Sequence, residues 1–175
     1  MKKNTFVLVI LSLFVFSANF AHASPKHNAV SPDESGPERV ARVNGFTKCA
    51  SAIKEANRVV FGDGKYNYFT SWNKNDANNH SFNVQGVRTF TDGNTFATYT
   101  VTPNVKGTCE IQIHTVFPYN VSCQYARVNY YKDWMLQSTV VNGVSYLTYN
   151  GMELFLFSQD TGGCVAIKTE LVSNN

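Results

Sequence analysis

Four cysteines, four histidines and an aromatic fraction of 14% carry most of the chemistry available to this 175-residue chain. A thiol serves as a nucleophile, a metal ligand or half of a disulfide, and spacing separates these roles. Cys49, Cys109, Cys123 and Cys164 stand far apart, with no CxxC pair of the kind that holds structural zinc. Nothing marks one of them as a nucleophile, so the even set of four predicts two disulfides. The histidines offer little more. His27 lies in a polar N-terminal stretch, His80 follows Asn78 and Asn79, and His114 alternates with Glu110 and Gln112 along a strand-like run. No HExxH, GxSxG or phosphate-binding glycine loop occurs, and no closely spaced carboxylate pair points to glycoside hydrolysis. The sequence therefore nominates no catalytic residue, metal ligand or cofactor. An enzyme reading reduces to an exported hydrolase whose site assembles around His80 or His114.

Aromatic rows offer a different chemistry. Tyr66, Tyr68 and Trp72 share one parity of a strand, and Tyr130, Tyr131 and Trp134 cluster later, near Tyr125. Tyr and Trp present large, rigid contact area with a polar tip, which suits a protein-binding patch, a sugar platform or the packing face of a sheet. These six residues are the candidate binding positions. Nucleic acid is disfavoured as a partner, because the formal charge is only +3 and the Lys and Arg residues are dispersed.

The elements that must position these residues begin after an export signal. Met1-Lys2-Lys3-Asn4 is a basic start, Phe6 to Phe16 is apolar except for Ser12, and Ala21-His22-Ala23 gives the small-x-small pattern of a cleavage site. Removing residues 1–23 leaves 175 − 23 = 152 residues and, with Lys2 and Lys3 gone, a charge of +3 − 2 = +1. No other apolar run approaches the roughly 20 residues of a membrane helix. The mature protein is expected to lie in the periplasm or the medium, where disulfides persist. Residues 24–36 read as a flexible leader and 37–175 as a single globular domain.

Within that domain, Pro37 takes a first-turn position behind Ser35 and Gly36, followed by Glu38. Phe46, Cys49, Ile53, Ala56 and Val60 recur at spacings of three and four, the apolar stripe of an amphipathic helix reaching Phe61. A break near Asn44-Gly45 with Thr47 as a second cap fits the same pattern. From Lys65 the period falls to two. Breaks at Asp92-Gly93, Pro103 to Gly107, Pro118 to Asn120, Asn142-Gly143, Asn150-Gly151 and Asp160 to Gly163 imply about seven antiparallel strands joined by hairpins. No repeat period is visible. The expected fold is α+β, mostly β: an N-terminal amphipathic helix packed on a curved antiparallel meander, open to closing partly into a barrel.

Strand parity also predicts the disulfides. Cys109 shares its face with Ile111 and Ile113, and Cys49 lies on the helix stripe, so both should point into the core. Cys123 shares parity with Arg127 and Asn129, and Cys164 with Lys168 and Glu170, so both should point away from it. The predicted pairs are Cys49–Cys109 and Cys123–Cys164. In general type, the size, export signal, two disulfides and β-rich body resemble small periplasmic inhibitor and immunity proteins. The resemblance implies a binding protein that blocks another periplasmic or secreted protein. The alternatives are the hydrolase named above and a carbohydrate-binding module using Tyr66, Tyr68 and Trp72.

Overall fold

The computed structural model describes residues 35–174 apart from residues 63, 91–92 and 141–142; the expected export signal and residues 24–34 of the expected leader lie outside this range. Ser35 and Gly36, expected to close the leader, instead open the first helix. In α1 (Gly36–Val43) the Ser35 hydroxyl accepts from the Glu38 amide and donates to the Glu38 carboxylate at 2.8 Å, while Pro37 occupies a first-turn position that lacks a partner for an N–H anyway. The apolar stripe continues in α2 (Ala50–Val60), and the break expected near Asn44-Gly45 divides the helical stretch over 37–61 into a helix–turn–helix. Gly45, at φ +81, turns the chain between them. Thr47 is not the second cap. The Asn78 side-chain oxygen, 31 residues away, accepts from the Thr47 amide at 2.8 Å and the Lys48 amide at 2.9 Å.

Eight strands follow: β1 (Tyr66–Trp72), β2 (Phe82–Phe90), β3 (Gly93–Pro103), β4 (Cys109–Tyr119), β5 (Met135–Val140), β6 (Val144–Tyr149), β7 (Met152–Ser158) and β8 (Cys164–Asn174). They form one antiparallel sheet in the order β1-β2-β3-β4-β8-β7-β6-β5. Two four-stranded meanders are therefore joined through β4 and β8, in place of one meander of seven. The sheet is open, with β1 and β5 at its edges, so the barrel alternative does not hold. Asn150 (φ 47) and Gly151 (φ 78) make the expected tight turn with both central residues at positive φ. The break expected at Pro118 comes later, because β4 runs through Tyr119. By then β3 has stopped pairing at Phe96↔Val116, and Pro118 has a neighbour only in β8. Residues 123–129, read as a strand, form α3 (Cys123–Asn129), started by the Ser122 hydroxyl accepting from the Tyr125 amide at 3.2 Å.

The meanders are topological repeats that the sequence conceals. Each is a helix followed by four antiparallel strands. Each carries a disulfide from the start of its helix to the first residue of its last strand: Cys49–Cys109 and Cys123–Cys164. Advancing 164 − 109 = 55 positions carries β4 onto β8, and hence His114 onto 114 + 55 = 169. Thr169 is also the cross-strand partner of His114, so an approximate dyad passes between them.

Under such a dyad both helical layers lie on one face. One core cluster joins α1 and α2 to Phe82, Val84, Tyr99, Val101, Ile111 and Ile113. The other joins Cys123 and Ala126 of α3 to Leu147, Leu154, Leu156 and Ala166. Cys164 is fully buried on this same covered face, since it pairs with Tyr119, which shares parity with Cys109. The disulfides are the expected pairs, but the expectation that Cys123 and Cys164 point away from the core is wrong. Lys168 and Glu170 share the covered face and pair with each other at 3.3 Å. The apolar Val165 and Ile167 occupy the other one.

Candidate functional site

The structure separates the two aromatic groups. Tyr66, Tyr68 and Trp72 lie on the helix-covered side of β1. The Tyr66 ring stacks on Phe61 at 4.4 Å, and its hydroxyl donates to the Asn57 side-chain oxygen at 3.1 Å. Tyr68 packs against Gly36, and Trp72 stacks on Phe82 at 6.0 Å. Burial pushes the phenols of both Tyr66 and Tyr68 above their ordinary range. These three residues are half-buried partners of the first core cluster. Tyr130, Tyr131 and Trp134 belong to the second repeat, in a chain of ring contacts running from Tyr125 through Tyr119 to Tyr149. Tyr131 is nearly buried and shares a 2.9 Å hydrogen bond with the Tyr119 hydroxyl; burial and that bond hold its phenol well above the ordinary value. Tyr130 and Tyr125 are about half exposed.

His80 and His114 do not converge. His80 follows a short 3-10 turn (Ala77–Asn79) and lies 3.7 Å from Asp76, on the surface. His114 stands mid-strand on the uncovered face, its Nδ1 3.0 Å from the Thr169 hydroxyl, and the row of Thr98 and Gln85 runs beside it. Phe82, the nearest strand residue to His80, is two strands across and three residues along from that row. Among the described residues no buried carboxylate orients either ring in the manner of a catalytic base. Among the described residues no group of three His, Cys, Asp or Glu is placed to hold a metal, and no helix is long and apolar enough to cross a membrane.

A further organised surface lies on the other face of the sheet, away from both aromatic groups. Among the described residues no helix packs on the second face of the sheet. Following the register across that face, Val87, Phe96, Val116, Ile167, Phe155 and Tyr146 are direct neighbours on six successive strands. At about 4.8 Å per strand this apolar row is roughly 24 Å long. Pro118, Val165 and Phe157 widen it on one side. On the other runs a polar row of Phe69, Gln85, Thr98, His114, Thr169 and Glu153, and beyond it Thr100, Gln112 and Leu171. Phe69 is 64% exposed, Leu171 73% and Phe96 41%. Among the described residues the charged ones placed here are Glu110 and Glu153; Glu153 accepts from the Tyr146 hydroxyl at 3.0 Å, a bond that raises the Tyr146 pKa. Arg88 and Lys168 point to the covered face.

One signal of this surface is present in the sequence. In Leu154-Phe155-Leu156-Phe157 both parities are apolar, and in β8 the apolar Val165 and Ile167 oppose Ala166 and Lys168. A strand apolar on both sides is in contact on both sides, or is built to be. No family model, curated protein or solved structure matches the chain.

Proposed function

We propose that this is an exported protein, periplasmic or secreted, that binds and blocks another protein through the uncovered face of its sheet. The observation that carries the reading is the composition of that face. An interface core is depleted of charge and enriched in aromatic and aliphatic side chains, with hydroxyl and amide groups at its margin. Here the Val87-to-Tyr146 row supplies the apolar centre, and Thr98, Thr100, Gln85 and Gln112 supply the margin. Eight strands at about 4.8 Å spacing and six to eleven residues long give a face on the order of 1,000 Å², enough for the roughly 800 Å² that one partner contributes to a standard interface. Glu110 and Glu153 fit a partner that presents Lys or Arg around an apolar centre. The two disulfides, one under each half of the sheet, stiffen this face before binding and so reduce the entropy lost on docking. Two disulfides and the export-signal pattern support the compartment.

The test is capture from periplasmic extract by the mature protein and by Phe96→Asp, whose side chain is exposed and leaves the core intact. A protein retained by the parent is purified, and its complex is measured directly with both forms. The expected result is a defined complex whose affinity falls at least about a hundredfold in Phe96→Asp, as for a central anchor. Equal affinity of parent and variant for every captured protein overturns the assignment of this face.

A further inference from the structure

The dyad lets the two repeats be compared position by position, and one divergence falls in the core beneath the helices. Phe82 pairs with Val101, which pairs with Ile111; Ser145 pairs with Leu156, which pairs with Ala166. Since 111 + 55 = 166, Ser145 occupies the position of Phe82. In the first repeat that position is filled three times over: Phe82 is fully buried, Phe46 from the α1–α2 turn lies 5.2 Å away, and Trp72 stacks at 6.0 Å. In the second repeat a serine replaces the phenylalanine. The chain enters α3 from β4 through residues 120–122 only, so no counterpart of α1 or of the Phe46 turn exists.

A cavity of about 590 Å³ lies there. Gln124 and Arg127 of α3, Lys132 and Trp134 of the following turn, and Ser145 and Ser158 of the sheet line it. Among the described residues its walls hold two cations, Arg127 and Lys132, and no carboxylate, so the site carries positive charge that no lining acid offsets. The hydroxyls of Ser145 and Ser158 and the Gln124 amide offer hydrogen bonds to a polyhydroxylated ring. Trp134 is held edge-on by Tyr131, at 5.8 Å and 89°, and is only partly buried. The volume falls in the range of small-molecule sites.

We infer that this cavity binds an anionic sugar, a monosaccharide-sized ring carrying a carboxylate or a phosphate. Arg127 and Lys132 take the oxyanion, Ser145, Ser158 and Gln124 take ring hydroxyls, and Trp134 takes an apolar ring edge. The site is on the helix-covered side, away from the proposed protein-binding face, and does not depend on that reading.

The experiment uses the mature protein with Trp72→Phe, which leaves Trp134 as the single tryptophan reporter. D-glucuronate, glucose 6-phosphate and glucose are titrated by fluorescence and, independently of any optical signal, by calorimetry. The expected result is saturable binding of at least one charged sugar, with glucose silent to about 10 mM, and a loss of at least about tenfold in Arg127→Gln and in Lys132→Gln. Glucuronate alone assigns a carboxylate head and glucose 6-phosphate alone a phosphate; Phe96→Asp leaves either titration unchanged. Both residues are exposed on the surface, and circular dichroism checks that the variants keep the fold. No saturable binding of either charged sugar by calorimetry, glucose binding as tightly, or variants binding like the parent overturns the assignment.

Discussion

Gly86→Ala should destabilise the protein although it inserts a single methyl into a β-strand. Gly86 is mid-strand in β2, between Tyr68 and Ala97, on the covered face beneath Phe61. A Cβ there would meet the Phe61 ring tip at 2.6 Å and the Asn67 backbone oxygen at 2.8 Å, both closer than real contacts allow. The ring has nowhere to go. Phe61 is fully buried, stacked on Tyr66 at 4.4 Å and 6.3 Å from Tyr99. The Asn67 oxygen belongs to the paired backbone of β1 and cannot move without shifting the strand. Inserting volume into such a site costs about 1–3 kcal/mol, offset by about 0.4–1 kcal/mol from the lower chain entropy of the unfolded alanine variant. The net loss is about 1–2 kcal/mol, or a fall in Tm of about 2–8 °C for a domain of this size. Urea denaturation monitored by circular dichroism should show a lower midpoint with an unchanged m-value. Phe61→Leu makes room for the methyl, so the double variant should lose less than the sum of the two single losses, by at least about 0.5 kcal/mol. Gly86→Ala matching the parent, or strict additivity in the double variant, would refute the close-approach reasoning.

Further predictions concern other sites. Tyr99 is fully buried and its hydroxyl has no hydrogen-bond partner among the described residues, so Tyr99→Phe should raise stability by about 1 kcal/mol in the same urea assay. Asn78→Ala leaves the Thr47 and Lys48 amides unpaired at the turn into α2 and should cost about 1 kcal/mol. Replacing either disulfide by serines opens a loop of 60 or 41 residues, so each pair should lose at most about 4 kcal/mol, with the two losses nearly equal. Burial holds Tyr66, Tyr68, Tyr99 and Tyr131 above the ordinary phenol value, so the unfolded chain loses these protons first. Their contribution is complete below about pH 10 and declines as pH rises above it, which a series of melting curves from pH 8 to pH 12 should display.

Much of the fold is legible locally. Ser35, Pro37 and Glu38 announce a helix start, and Asn150-Gly151 announces a turn with two positive φ angles, because each rests on a few adjacent atoms. Features decided by distant residues are not legible in this way. Asn78 takes the role expected of Thr47 from 31 positions away. In Cys-Gln-Tyr-Ala-Arg-Val-Asn, strand-favouring residues yield to the Ser122 cap and to the burial of Cys123 and Ala126 against Leu147 and Leu154. The candidate aromatics were visible, but whether Tyr66, Tyr68 and Trp72 face helix or solvent depends on which side of the sheet the helices choose. The Val87-to-Tyr146 row depends on a strand order in which β8 returns to lie beside β4, and no local spacing encodes that.

The failed parity of Cys164 carries the clearest physical lesson. Reading Val165 and Ile167 as core-facing places Cys164 outside, as it would in a sheet with one wet face. In this protein the apolar side chains of β8 sit opposite the helices, and the buried side carries Cys164, Ala166 and the paired Lys168 and Glu170. A covered face accommodates an ion pair there because the two helical layers end on either side of the dyad and leave the pair about a quarter exposed. An uncovered face that presents Val116, Ile167, Phe155 and Phe96 in one row has no counterpart burial within the described chain to offset the exposure. Apolar surface maintained at that cost across six strands is more readily explained by what it binds than by how the chain folds. The repeats share a path and a disulfide plan but diverge at Phe82 and Ser145. One face of the molecule is therefore continuous across both halves, while on the other the position filled by Phe82 in the first half opens at Ser145 onto a cavity in the second.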